Sequence, residues 1–309
     1  MKYIYKKKGC KNILVTIAIG DRYLNDWTLY SYPSWNDYCV GNDLGLLVIT
    51  DSLIDNSDSK YKKPTWQKGL LGHFISENFP EVENVCYLDT DIIISPMAPN
   101  VFDVYNQEGI GLVSLRKNIP FPYELVRRRI AHLRNKHYSS DYPLDSSLFI
   151  SLDNLCQFHG KTDMSDEACM GVILFNVVKH GQILLDSFNE YSSDVDSITG
   201  GGDQFHYNYE FQSRTNVQWL PYEFQAIWCH EMAWHYPHLY TNTNNDYIKD
   251  ALEATLMRTH FLHFAGSWPE SDLWRTLGIF EGDKLSDVYH YKKYLSQEVL
   301  GLPVGRNKP

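Results

Sequence analysis

The segment Asp89-Thr90-Asp91 has the residue types and spacing of a divalent-metal site. It follows the apolar residues 85–88, which predict a buried strand, and side chains two residues apart on a strand point the same way. Asp89 and Asp91 are therefore expected to present two carboxylates at the end of a strand. Such hard oxygen donors suit Mg²⁺ or Mn²⁺, which keep positions open for substrate phosphates. A pair of turn or helix-capping aspartates is the structural alternative, and the context leaves both open.

The sequence contains a second acidic pair of the same spacing, Asp194-Val195-Asp196. No strand-like apolar segment surrounds it, whereas residues 85–88 and 92–94 flank the first pair. A carboxylate pair beside a core strand costs several kcal/mol, on the order of 3 or more, unless a cation compensates it. The second pair is therefore interpreted as a coincidence in a loop.

A glycine-rich segment at 200–204 ends in Asp203 and Gln204. Glycine lets the backbone pass close to a ligand, so the two polar side chains are candidates for contacting a sugar's hydroxyl groups or its anomeric carbon. The structural alternative is a tight turn in which Asp203 caps the next helix.

The segment 260–268 combines His263 with Gly266. The imidazole is a candidate third ligand for the same metal, and the glycine would let a backbone N–H approach a phosphate. A histidine in an apolar stretch is more often a hydrogen-bonded core residue, and this alternative stays open.

Short apolar segments alternate with helical patterns along the chain. This alternation predicts an α/β fold with a mainly parallel central sheet flanked by helices, with ligands at the carboxyl ends of its strands. Residues 1–268 are expected to form one domain, followed by a helical C-terminal extension over 269–309. A basic stretch within 120–165 is either a solvated helix face or an insertion that shapes an acceptor site. Strands are predicted at 12–20, 45–50, 84–95, 109–115, 168–178 and 217–221, and helices at 64–79, 183–191 and 246–309, the last interrupted at 260–268.

Composition narrows the function classes. A net charge of -10 over 309 residues disfavours nucleic-acid binding, because phosphate backbones are repelled. The 22 Tyr and 8 Trp fit either a sugar-binding surface or a Tyr-rich core. No CxxC pair occurs among the six cysteines, which disfavours a zinc knot. The absence of a signal peptide and of a membrane-length apolar run predicts a cytoplasmic protein and leaves peripheral membrane contact open.

Several motifs, taken in order, resemble glycosyltransferase family 8, the glycogenin-like retaining transferases of the Rossmann-like GT-A fold. The similarity covers about residues 13–268, and its parts are specific through their joint order and spacing. The motifs are TIAIGDRY, the lysine of PTWQKGLLGHF, YLDTDIIISPMAPNVF, CMGVILFN, GGGDQFHYN, LPYEF and HFAGSW.

The resemblance implies a metal-dependent transferase that moves a hexose from a nucleotide-diphosphate sugar, with UDP favoured. The acceptor would be a glycan, a glycolipid or a protein. The implied roles are Mn²⁺ (or Mg²⁺) ligation by Asp89, Asp91 and His263, a nucleoside pocket of Ala18, Ile19 and Tyr23, donor contact by Lys68, transferred-sugar contact by Asp203 and Gln204, and diphosphate contact by Gly266.

The chain departs from the family pattern at two positions. Cys169 stands where the family often has an asparagine, and Pro269 stands where it often has a lysine that grips the diphosphate. Arg275 and Lys284 are candidates to replace that lysine. Two other classes of function stay open, a metal-dependent phosphohydrolase and a non-catalytic carbohydrate-binding protein.

Overall fold

The computed structural model describes residues 3–137, 150–195, 202–241, 244–266 and residue 275. Within these residues the chain forms a mixed α/β fold with a seven-stranded central sheet and a separate three-stranded sheet. The strands are β1 Tyr3–Lys6, β2 Asn12–Ile17, β3 Gly45–Ile49, β4 Asn84–Leu88, β5 Ile92–Ile94, β6 Ile110–Val113, β7 Val172–Asn176, β8 Val217–Leu220, β9 Ala226–Ile227 and β10 Phe261–His263.

The helices of the described residues lie mainly between these strands. A π-helical segment lies at Trp27–Ser31, and a 3₁₀ segment lies at Pro64–Leu70. The α-helices are α1 Asp21–Asp26, α2 Tyr32–Gly41, α3 Leu71–Asn78, α4 Tyr123–His137, α5 Leu152–Phe158, α6 Val177–Asn189, α7 Gln204–Arg214, α8 Trp228–His235 and α9 Asn245–Arg258.

The central sheet has the strand order β1-β3-β2-β4-β7-β6-β8. Its middle contains the parallel pairs β3–β2 and β2–β4, as the sequence predicts. The pairs β1–β3, β4–β7 and β6–β7 are antiparallel, so the α/β prediction is confirmed while the sheet is mixed rather than mainly parallel. Strand β1 is only four residues long and three of them, Tyr3, Ile4 and Lys6, are exposed, so it lacks the buried apolar pattern by which the other strands are predicted.

Helices cover both faces of this sheet, and side chains alternate between two cores. Along β2, Ile13 and Val15 face one core, whereas Leu14 faces the other. The core that contains Ile13 packs against α3, α6 and α7, and the core that contains Leu14 packs against α2 and β10. Burying one such side chain stabilises the fold by roughly 1.5–3 kcal/mol, so the strand positions are fixed by the pattern of apolar residues.

The segment 84–95, predicted as one strand, is two strands in two different sheets. β4 belongs to the central sheet, and β5 pairs antiparallel with β10 of the small sheet. The chain turns between them at residues 89–91. The prediction of a single strand is therefore wrong, because apolar residues continue through a change of direction that periodicity does not register.

The small sheet has the order β5-β10-β9 and a core of its own, which we call the second core. This core includes Ile93, Ala226 and Leu262 from the three strands, and it packs against α4, α8 and α9. The small sheet thus ties the C-terminal part of the described chain to the turn that follows β4.

Candidate active site

The turn between β4 and β5 carries the two aspartates and is fastened by backbone hydrogen bonds on both sides. The N–H of Asp89 donates to the carbonyl of Gly171 (2.9 Å), and the N–H of Phe264 donates to the carbonyl of Asp91 (3.0 Å). Both carboxylates are part-exposed, with 33% of the Asp89 side chain and 28% of the Asp91 side chain accessible. The turn, and not strand alternation, therefore brings the two acids to one place.

His263 completes the acidic turn from the end of β10. Its Nε2 lies 3.2 Å from Asp91 Oδ1 and 3.8 Å from Asp89 Oδ2, and the ring is buried. Burial opposes the charged imidazolium, but the charges of Asp91 and Cys169 and their hydrogen bonds to the ring together outweigh burial and raise the pKa of His263 well above its ordinary value. The pairing of β10 with β5, with His263 opposite Ile92, sets the ring beside the turn.

The donor set of this cluster fits a hard divalent cation. One ligand atom from each of Asp89, Asp91 and His263 lies within 4.8 Å of the others, the only such group of three among the described residues. Neighbouring ligands of an octahedral ion with bonds of about 2.1 Å lie roughly 3 Å apart, which matches the shortest of these separations. Two carboxylates and one imidazole suit Mn²⁺ or Mg²⁺, and the part-exposed acids leave room for further ligands.

Lys68 links the acidic turn to Asp203. Its side chain is 3% exposed, and Nζ lies 3.0 Å from Asp203 Oδ2 and 3.6 Å from Asp89 Oδ1. Nζ also donates to the carbonyl of Met170 (2.9 Å). Burial acts to lower the pKa of Lys68, but the two carboxylates outweigh it and raise that pKa. The lysine therefore holds a buried positive charge between the two acidic groups.

Tyr87 is a member of the site that the sequence analysis did not name. The side chain is buried, and its hydroxyl donates to Asp89 Oδ1 at 2.6 Å. Burial, followed by the charge of Asp89, raises the pKa of Tyr87 well above its ordinary value, so the phenol stays a donor. Since Oδ1 of Asp89 contacts both Tyr87 and Lys68, Oδ2 is the oxygen that faces His263.

Asp203 and Gln204 lie at the start of α7. Asp203 occupies the N-cap position without a side-chain capping hydrogen bond, so the capping alternative is not what the side chain does. Burial raises the pKa of Asp203, and the charge of Lys68 opposes that rise. The side chain of Asp203 is instead turned toward the lysine.

Gln204 is held by a buried ion pair that the sequence analysis missed. Its Nε2 donates to Glu167 Oε1 (2.6 Å), and Arg116 Nε donates to Glu167 Oε2 (2.6 Å). The side chain of Glu167 is fully buried. No motif contains Glu167 or Arg116, and they lie far apart in the sequence, so only the fold brings them to Gln204.

The residues assigned to the nucleoside lie at the same edge of the central sheet. β2 runs parallel to β4, with Val15 opposite Tyr87, so Ala18 follows β2 where the acidic turn follows β4. Ala18 is buried, Ile19 is half-buried, and Tyr23 is 59% exposed on α1. A second link comes from the π-helical segment, where the hydroxyl of Ser31 donates to the carbonyl of Thr90 (2.5 Å).

Gly266 is exposed and has a φ of 93°, a left-handed conformation that favours glycine. Arg275 donates to Asp26 Oδ2 (2.9 Å), which places its guanidinium beside the end of α1. The remaining predicted residues, Asp196, Gly200, Gly201, Trp268, Pro269 and Lys284, and almost all of the predicted extension 269–309, lie outside the described residues.

The other predicted features also have clear positions. In the basic stretch, Arg129 on α4 is exposed, yet it donates to the carbonyl of Ala233 (2.9 Å) and lies 5.3 Å from the ring of Trp234.

All six cysteines are free thiols, in agreement with the absence of a cysteine pair motif. Cys169 is half-buried, with its sulfur 3.8 Å from His263 Nδ1. Within the described part of the chain, no helix has the length and apolarity needed to cross a membrane.

Comparisons with known proteins give structural similarities only. A scan against protein-family models and a search of curated proteins find no match. A glycosyltransferase involved in the glycosylation of the major capsid of PBCV-1 is similar at 10% identity and a TM-score of 0.47, covering 86% of this chain and 98% of that chain. The bifunctional glycosyltransferase WbbM is similar at 12% identity and a TM-score of 0.47, covering 90% of this chain and 51% of that chain. The galactosyltransferase LgtC, in complex with donor and acceptor sugar analogues, is similar at 12% identity and a TM-score of 0.41, covering 91% of this chain and 95% of that chain. At this identity, none of these similarities assigns a donor, an acceptor or a metal to the chain.

Proposed function

We propose that this protein is a metal-dependent glycosyltransferase that moves a hexose from a nucleotide-diphosphate sugar, with UDP favoured, to a glycan, glycolipid or protein. The observation that carries the proposal is the convergence of Asp89, Asp91 and His263 at the carboxyl end of β4. Ligands of open α/β sheets bind at this edge.

The three ligands would hold Mn²⁺ or Mg²⁺, which when bound neutralises the charge of a leaving diphosphate. The protein's own part is to hold the carboxylates in place. Tyr87 and Lys68 both contact Asp89 Oδ1, and this directs the other oxygen toward His263. Without such fixed groups, the site would have to reorganise during the reaction, which raises the barrier.

The transferred sugar would lie beside Asp203 and Gln204. Lys68 joins Asp203 to the acidic turn, so the sugar-binding and cation-binding groups form one connected unit. Orientation of the sugar by these side chains would lower the barrier by fixing the reacting atoms in place. Retention is implied by the resemblance to family 8, and since no carboxylate is assigned as a covalent nucleophile, we expect attack by the acceptor on the face from which the diphosphate leaves.

The experiment that tests the proposal is a thermal-shift screen of nucleotide sugars with and without Mn²⁺. We expect UDP-sugars to stabilise the protein only with the metal, by about 2.7 kcal/mol at a hundredfold excess over the dissociation constant. Acceptor-independent cleavage of the diphosphate would instead favour the phosphohydrolase. Sugar binding that ignores both metal and nucleotide would favour the carbohydrate-binding protein.

A further inference from the structure

The metal-facing histidine has a buried amide on its other side. Gln225 ends the short 3₁₀ segment Tyr222–Gln225 that follows β8, directly before β9, and the side chain is 2% exposed. Its Nε2 lies 3.1 Å from Nδ1 of His263. Ile227 of β9 pairs with His263 of β10, so the two strands fix the separation between the amide and the ring.

The two nitrogens of an imidazole have linked roles. A cation on Nε2 of His263 takes the lone pair of that nitrogen, so the ring proton must sit on Nδ1 and requires an acceptor. Of the two groups near Nδ1, the sulfur of Cys169 at 3.8 Å is a weak acceptor, whereas an amide oxygen is a strong one. The amide of Gln225 is therefore the acceptor that the ring needs.

Gln225 also carries a polar atom in need of a partner. Its Oε1 is buried and has no hydrogen-bond partner among the described residues. The two ends of an amide have almost the same shape, so a half-turn of the group brings Oε1 to Nδ1. After this half-turn, the amide nitrogen faces away from the ring. Gln225 and His230 line the same small pocket, and Nδ1 of His230 likewise has no partner among the described residues.

The ring of His263 has little freedom to turn away from the amide. A Cβ at Gly171 would lie 2.3 Å from Cε1 and 2.9 Å from Nδ1 of the ring, and 2.9 Å from Nε2 of Gln225. The backbone of Gly171 therefore packs directly against both side chains. Because the carbonyl of Gly171 also accepts from Asp89 N–H, the same residue joins the ring to the acidic turn.

We propose that Gln225 is a positioning residue that accepts a hydrogen bond from Nδ1–H of His263 and thereby directs the Nε2 lone pair to the divalent cation. This inference rests on the proposed function, since it requires a cation between His263 and the two aspartates. It adds a residue outside the three-ligand cluster and assigns it a defined hydrogen-bond role.

The test is Mn²⁺ binding to the full-length chain, measured by calorimetry on the wild type and on Gln225→Leu and Gln225→Glu. Loss of an outer-shell partner weakens metal binding by about 10–100-fold, which is the expected result for Gln225→Leu. Gln225→Glu keeps an acceptor beside Nδ1, so its affinity is expected to stay within about threefold of the wild type or to exceed it. Gln225→Met serves in the same way if the leucine variant does not fold.

The outcomes separate this inference from the proposed function. A wild-type chain that binds no Mn²⁺ overturns both. Wild-type affinity in Gln225→Leu, or equal weakening in the leucine and glutamate variants, overturns only the role of Gln225, since packing would then be its contribution. Urea unfolding without metal, run on all variants, checks that a weaker affinity does not come from partial unfolding.

Discussion

Two charged clusters among the described residues differ in how completely their carboxylates are satisfied. In the second core, Glu231 is fully buried, receives a hydrogen bond from the hydroxyl of Tyr222 (2.7 Å), and pairs with Arg258. In the acidic turn, Asp89 and Asp91 are part-exposed, and the main cationic group near both is the imidazole of His263.

This difference separates a cluster that stabilises the fold from a cluster that is expected to bind a ligand. A carboxylate that is sealed in the interior and hydrogen-bonded to a tyrosine and an arginine needs no further partner, and its removal would leave those donors without their acceptor. The acidic turn instead gathers two carboxylates that repel one another at an open edge of the sheet. Such an arrangement is stable when a cation binds it. Substitutions in the acidic turn should therefore change metal binding and activity, whereas substitutions in the second core should change stability.

The largest effect is expected for Asp91→Asn. Removing one charge from the acidic turn should lower transfer activity by about a thousandfold or more, which corresponds to about 4 kcal/mol in the barrier, because a ligand to the cation becomes neutral. Thermal unfolding of the metal-free variant should stay close to that of the wild type. Turnover with a UDP-sugar, or loss of the Mn²⁺-dependent thermal shift, measures the effect.

The matched control is Asp194→Asn in the second acidic pair. Asp194 is exposed and lies after α6, away from the strands that form the site, and it accepts a hydrogen bond from Ser192. We expect its substitution to leave activity unchanged. Equal losses in the two variants would remove the distinction between the acidic turn and an ordinary surface pair.

Glu231→Gln should give the opposite pattern. The change leaves the Tyr222 hydroxyl and Arg258, whose side chain is 36% exposed, facing an amide instead of a carboxylate, and the loss of such charge-assisted hydrogen bonds costs about 1.5–3 kcal/mol of unfolding free energy. Metal affinity, measured at a temperature where the variant is folded, should be unchanged. Urea unfolding gives the first quantity and calorimetry the second. A variant that keeps its stability but loses Mn²⁺ would show that the second core is part of the binding site.

Acid should weaken the second core through His230. Burial lowers the pKa of His230 from 6.5 to about 4. The unfolded chain therefore binds more protons between these values, so stability is fully present above pH 6.5 and is lost as the pH falls toward 4. The contribution of this one residue is about 3 kcal/mol.

The measurement is unfolding free energy against pH for the wild type and His230→Leu in the absence of metal. The variant should lose less stability than the wild type over this window, since a cavity from the substitution acts equally at every pH. His263 does not confuse the comparison, because its pKa is raised in the fold, so its stabilising contribution is constant below pH 6.5 and is lost only as the pH rises above that value. Identical pH profiles would mean that His230 is protonated in the fold.

The acidic turn could be predicted from sequence because its ligands are few, chemically distinctive and placed beside a strongly apolar segment. The reason given for their convergence was wrong, since β4 and β5 belong to different sheets and a turn joins them. The distant ligand His263 was found only through its motif, because the pairing of β10 with β5 cannot be read from local periodicity.

The supporting residues could not be predicted, and the reason is physical. Tyr87, Glu167 and Gln225 act through contacts with residues that are set by tertiary packing, and each looks like an ordinary core or turn residue in its own segment. Tyr87 and Gln225 were the nearest to detection, because Tyr87 begins the YLDTDIIISPMAPNVF motif and Gln225 directly follows the LPYEF motif. Motifs mark the groups that touch a ligand, whereas the groups that orient them are distributed through the fold.

The smallest effect in this series is expected for Gly171→Ala, which tests how tightly the cluster is built. The φ of Gly171 does not lie in the left-handed region, so the added methyl group acts through its contacts, with Cε1 of the His263 ring at 2.3 Å and with Nε2 of Gln225 at 2.9 Å. Both side chains must move for these contacts to lengthen toward the 3.4–4 Å of ordinary van der Waals contact. We expect Mn²⁺ affinity to fall by about tenfold, or about 1.4 kcal/mol, with a small loss of thermal stability.

Gly41→Ala is the control, because a Cβ there meets nothing within 4 Å. Unchanged affinity in Gly171→Ala would mean that the ring adapts freely, and the acidic turn would then be a looser site than the closely packed histidine implies.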